Sequence, residues 1–136
     1  VAVDGRAHVR IARPTRDIAA AERFWISGLG LRELFRKTAD GTPHSHDLLM
    51  AGWPDAGWHL ELTHDPADPV RPRPTDEDLL VIYLGEAVPD DLVARLEQHG
   101  GQRVPSRNPY WDACGVTVED PDGYRLVLCT RDWSND

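Results

Sequence analysis

Apolar and polar residues alternate from His8 to Arg13, placing Val9 and Ile11 on one face and His8, Arg10 and Ala12 on the other. That period of two predicts a strand, which Pro14 ends. Asp17 is a good helix N-cap, and Ile18, Ala21 and Trp25 follow at helical spacing with Phe24 beside them. Gly28 and Gly30 mark the end of that helix. Leu31 to Arg36, His46 to Met50 and Trp58 to Thr63 read as three further strands, with Asp40-Gly41 as a hairpin turn between the first two. Pro66, Pro69, Pro72 and Pro74 then make residues 64–76 a linker, because proline offers no backbone donor to a ladder.

Leu79 to Leu84 opens a second series with the near-continuous apolar run of a covered strand. Pro89 at the first helical position and Asp90-Asp91 in the first turn predict a helix with Leu92 and Leu96 as its stripe, ended by Gly100-Gly101. Gln102 to Val104 is a short strand. Gly115 to Cys129 reads as a hairpin turned by Asp120-Pro121-Asp122-Gly123. Strand-helix-strand-strand-strand therefore occurs twice. The expected architecture is α+β, with paired βαβββ modules at about 7–63 and 78–131 inside one domain spanning 1–136. A sheet with one helix on one face leaves its other face needing cover, and two such sheets can wrap around a shared concavity.

Composition narrows the function classes. The chain has 136 residues, of which 40% are hydrophobic, enough for one core. Its net charge of −8 argues against nucleic acid, whose phosphates need a basic face. No apolar run is long enough to span a membrane, and no charged-then-apolar leader is visible. Two cysteines do not make a disulfide framework, so a reducing cytoplasm is the expected setting. No phosphate loop, nucleophile elbow, C-x-x-C pair or zincin helix motif occurs.

The stretch E-D-P-D-G-Y-R-L-V-L resembles the closing hairpin of the vicinal oxygen chelate superfamily, which includes glyoxalase I, extradiol dioxygenases, fosfomycin-modifying enzymes and bleomycin-resistance proteins. Asp17 to Leu31, H-L-E-L-T-H-D-P from His59 and L-E-Q-H-G-G from Leu96 agree in order and spacing. Asn108-Pro109-Tyr110-Trp111 followed by G-V-T-V-E-D-P-D-G is similar to a small uncharacterised bacterial subgroup. The resemblance implies the paired-module fold, a homodimer and a ligand site in the concavity.

Metal-dependent relatives hold a divalent ion with four side chains from the first and last strands of each half. The resemblance puts those positions at Arg10, Glu61, Leu79 or Leu80, and Val127. Only Glu61 offers a lone pair, and an arginine stays protonated and cannot ligate. No metal and no cofactor is therefore expected. Arg10 and Glu61 should meet across the cavity, either orienting a polar or zwitterionic ligand or neutralising each other. His59 and Trp111 join them as candidate ligand contacts, Trp111 because it follows a proline loop near the expected cavity mouth. His44, His46, His59 and Glu61 are an alternative set for a transition metal. His8, His64 and His99 show no evident partner.

The function expected by resemblance is metal-independent small-molecule binding of the bleomycin-resistance type. The main rival is a glyoxalase-like lyase or isomerase in which Glu61 is the general base, and a dioxygenase ranks third. Counting outward from a turn at 120–123 pairs Glu119 with Tyr124, Val118 with Arg125 and Cys114 with Cys129. The two thiols would then lie side by side, as a redox-sensitive wall or as two small buried hydrophobes.

Overall fold

In the computed structural model, residues 2–136 are described. β1 (Val9–Pro14) leads into α1 (Ile18–Glu22), which continues as a π-helical segment, Arg23–Gly28. The Asp17 carboxylate accepts from the Ala19 and Ala20 amides, the cap that the sequence predicts. β2 (Arg32–Lys37), β3 (Asp47–Gly52) and β4 (Trp58–His64) complete the first module. The second consists of β5 (Leu79–Tyr83), α2 (Asp90–Gln98), β6 (Gln102–Val104), α3 (Pro109–Ala113), β7 (Gly115–Glu119) and β8 (Arg125–Cys129). The sheets run β1-β4-β3-β2 and β5-β8-β7-β6, with the first and last strand of each module parallel.

The two modules share one core. Leu49, Ala51, Leu60 and Leu62 line the helix side of the first sheet, and Val118, Leu126 and Leu128 that of the second. Phe24, Trp25 and Leu96 lie in the same cluster, so the helices of the two modules pack on each other between the sheets. Gly101 allows this: a Cβ there would meet the Leu96 carbonyl at 2.7 Å, Phe24 at 2.8 Å and Val118 at 2.8 Å.

The D-P-D-G turn is also a clasp between modules. Asp120 accepts from the Trp25 indole at 3.0 Å, and Asp122 accepts from the Arg16 amide at 3.0 Å and from the Thr15 hydroxyl. The Tyr124 hydroxyl donates to the Pro14 carbonyl at 3.0 Å, and the Arg13 guanidinium lies 4.7 Å from the Tyr124 ring centre. Asp120 is enclosed by this seam, and burial pushes its carboxyl up to about 6, against the N–H donors that hold it down.

Four expectations need correction. Pro89 is the N-cap, with extended backbone, and the helix begins at Asp90. Strand β3 begins at Asp47, leaving His46 in the loop before it. Residues 109–113, given no element by the sequence and read only as following a proline loop, form α3, which Asn108 caps by accepting from the Tyr110 amide with Pro109 in the first turn. Finally, the closing hairpin pairs Glu119 with Arg125, Val118 with Leu126 and Gly115 with Cys129. Asp120 and Tyr124 close a three-residue loop in which Gly123 takes φ 92°, one residue fewer than the four that a turn closed by Glu119 and Tyr124 would enclose. Cys114 is therefore not opposite Cys129 in the ladder but at the C-cap of α3. The thiols still meet, with sulfur atoms 3.8 Å apart, because the C-cap returns the chain over β8.

Candidate functional site

The two sheets differ on their faces away from the helices. On the second sheet, Thr117, Val127 and Cys129 are buried, and α3 packs on β7 beside them. The first sheet stays open. Register places Arg10 beside His59, Ala12 beside Glu61, and Met50 between Glu61 and Phe35, all on that open face. Gly52 continues the row, since a Cβ there would meet the His59 Cβ at 3.0 Å and Leu34 at 3.1 Å.

Arg10 is the hub of this face. Its Nε donates to His59 Nε2 at 3.2 Å, its Nη1 to Glu61 Oε1 at 3.3 Å, and its Nη2 points at Met50 Sδ at 3.9 Å. Arg10 and Glu61 are within reach of each other, but as neighbours on adjacent strands of one sheet and not across a cavity as expected. His59 also meets His8: its Nδ1 lies 2.6 Å from His8 Nε2. The enclosure of His59, followed by the charge that His8 carries only when protonated and by that of Arg10, lowers its pKa below the usual imidazole value. His8 is the residue that sequence reasoning missed. Its signal was present, because it shares the alternation face of Arg10 two positions earlier, but its partner lies on a strand about fifty residues away.

The other expected residues go elsewhere. Trp111 stands on α3 against Tyr110, ring centres 5.0 Å apart, and among the described residues it has no hydrogen bond or ring contact with the Arg10 cluster. His46 binds the His44 carbonyl at 3.1 Å, and its neighbour Asp47 pairs with His64, at the far end of β4 from His59. The set His44, His46, His59 and Glu61 is therefore not brought together. A shallow groove of about 200 Å³ runs from Ala12 and Glu61 past Thr63 under Val70 of the linker, and a second of about 250 Å³ continues beside His46 and Asp65.

The chain's donors do not fit the divalent ion of metal-dependent relatives. Arg10 occupies one expected ligand position, and its N–H groups consume lone pairs of both His59 and Glu61 that an ion would need. Leu79, Leu80 and Val127 supply no donor.

Residues 9–63 match the model of the YycE-like N-terminal domain, and residues 77–130 that of the YycE-like C-terminal domain. The chain belongs to the YycE-like family. Uncharacterized protein YycE of Bacillus subtilis is 40% identical over 124 residues, covering 90% of this chain and 86% of that protein. The crystal structure of a YycE protein of unknown function from Bacillus subtilis has a TM-score of 0.80 at 36% identity, covering 96% of this chain and 93% of that one. More distant likenesses share the fold of glyoxalase, bleomycin-resistance and fosfomycin-resistance proteins. Leishmania major glyoxalase I has a TM-score of 0.67 at 19% identity, covering 90% of this chain and 84% of that one. TnmS3, an antibiotic binding protein from Streptomyces sp. CB03234, has a TM-score of 0.61 at 21% identity, covering 96% of this chain and 100% of that one. At those identities the likeness is one of fold alone.

Proposed function

We propose that this YycE-like chain is a metal-independent small-molecule binding protein of the bleomycin-resistance type, acting as a cytoplasmic homodimer. The observation that carries the reading is that Arg10, at the position where the resemblance implies a metal ligand, is tied to both Glu61 and His59. A binder needs a shaped surface with a few placed polar groups, and the open sheet face with its groove under Val70 supplies both. Arg10, His59 and Glu61 are the proposed ligand contacts, with Trp111 as a fourth from α3. TnmS3 is described as antibiotic binding, which makes sequestration a natural first activity to test.

The rival reading, in which Glu61 abstracts a proton beside a carbonyl, is separated by turnover. The purified chain is screened against an antibiotic and metabolite panel by thermal shift. Metal content and solvent-deuterium exchange into α-hydroxy carbonyl compounds are measured alongside. Stabilisation by a panel member with no exchange and no stoichiometric metal is the expected result. About one equivalent of Zn, Ni, Fe or Mn per chain, or exchange lost in Glu61→Gln, would overturn it. Sedimentation gives the oligomeric state.

A further inference from the structure

We propose that the Arg10 cluster recognises an oxyanion head on an apolar body, an aromatic acid being the simplest case, with His8 as its second donor. The inference rests on the binding reading above and names the ligand class for the same site. Hydrogen-bond polarity carries the first step. An arginine only donates, so His59 Nε2, which receives Arg10 Nε at 3.2 Å, holds a lone pair. The proton of neutral His59 is then on Nδ1, which donates to His8 Nε2 across 2.6 Å. His8 Nε2 is thereby an acceptor, and the His8 proton sits on Nδ1. That Nδ1–H belongs to an exposed ring and, among the described residues, has no hydrogen-bond partner.

Arg10 adds to the same supply of donors. One N–H on each nitrogen of its guanidinium is aimed at His59, Glu61 or Met50, leaving one N–H free on each terminal nitrogen. Its side chain is 50% exposed, whereas that of Glu61 is 16% exposed and lies against the groove under Val70. What the cluster offers outward is therefore N–H, and a cationic ligand would meet donors facing donors. Charge agrees. In a chain of net charge −8, register puts Arg32 and Lys37 on this same face. The apolar body has its counterpart in Leu34 and Phe35, 40% and 51% exposed, with Phe35 directly beside Met50. Charge complementarity thus selects a small acid as occupant, and a carboxylate and a phosphate monoester are its two forms.

The test uses the full chain labelled with 15N in its imidazoles, titrated with benzoate, phenyl phosphate, benzylammonium and benzyl alcohol. Before any probe, in buffer alkaline enough that both rings are neutral, His8 and His59 are expected as Nδ1–H tautomers, and a proton on His59 Nε2 would overturn the proposal. Benzoate or phenyl phosphate should then move both rings in a saturable way, and benzylammonium should not; the better of the two acids identifies the head group. His8→Phe keeps a ring but removes the donor and should weaken acid binding roughly tenfold, with unchanged circular dichroism. Equal binding by His8→Phe, or preference for benzylammonium or benzyl alcohol, overturns the ligand class and leaves the binding reading standing. If no probe moves either ring, the ligand class falls, and the binding reading stands or falls with the panel screen. Rings that move on dilution alone, and not with either acid, mark the face as a contact between copies and overturn the proposal too.

Discussion

Replacing Asp120 by Asn isolates the cost of burying charge in the clasp between modules. Asp120 is 5% exposed, and burial pushes its pKa from 3.8 to about 6. Because the folded value lies above the unfolded one, the native state holds the proton more tightly. Stability from this group is fully present below the unfolded value and is lost as pH rises through about 6. At about 1.4 kcal/mol per pH unit, the full loss is about 3 kcal/mol, most of it between pH 4 and pH 7. Asn keeps an oxygen for the Asp122 and Tyr124 amides, each now 2.9 Å from Asp120 Oδ1. Its NH2, however, faces the Trp25 indole N–H, donor against donor, a pH-independent cost of about 1–3 kcal/mol. Urea denaturation of both proteins from pH 3 to pH 8 reads the difference. The parent should lose about 3 kcal/mol relative to Asp120→Asn across that range. A difference that stays flat with pH would refute the reasoning, because it would mean that the clasp carboxylate ionises as easily folded as unfolded.

Three further outcomes follow from the packing and the thiols. Gly101→Ala should destabilise by about 1–3 kcal/mol in the same assay, since its Cβ meets the Leu96 backbone carbonyl and the buried Phe24 and Val118 side chains inside 3 Å. Arg10→Ala should cost only about 1 kcal/mol, because Arg10 is half exposed and its removal opens Glu61, 16% exposed beside it, to water, while acid binding at the cluster is lost; a larger stability loss would show the pair to be structural. Hydrogen peroxide should convert Cys114 and Cys129 into an intramolecular disulfide, each sulfur losing its proton and one electron as the peroxide becomes two waters. The sulfur atoms start 3.8 Å apart and must close to about 2.05 Å. Burial pushes the Cys129 thiol up, so the reaction should quicken with rising pH; a mass gain by oxygen instead of a loss of two hydrogens would count against it.

The order of elements was written into local pattern. Alternation in β1 and β4, helical spacing from Asp17 to Trp25, and the prolines of 64–76 each act within a few residues, and the paired modules followed from them. Asn108-Pro109 carried a legible helix start as well, but five residues are too few for a periodicity, so α3 went unassigned. The turn chemistry of D-P-D-G was plain, yet whether three or four residues closed the loop depended on where Gly123 took its left-handed backbone, and that moved the register by one. Tertiary structure decided the rest. The same turn became a clasp only because Trp25, Thr15 and Arg16 arrive from the other module, about a hundred residues earlier. Arg10 and Glu61 were marked as a pair by resemblance, but His8 and His59 joined them through the parallel register of β1 on β4. Contacts between strands about fifty residues apart leave no periodic trace in either strand, because each is chosen by the pairing of whole sheets and not by its neighbours in sequence.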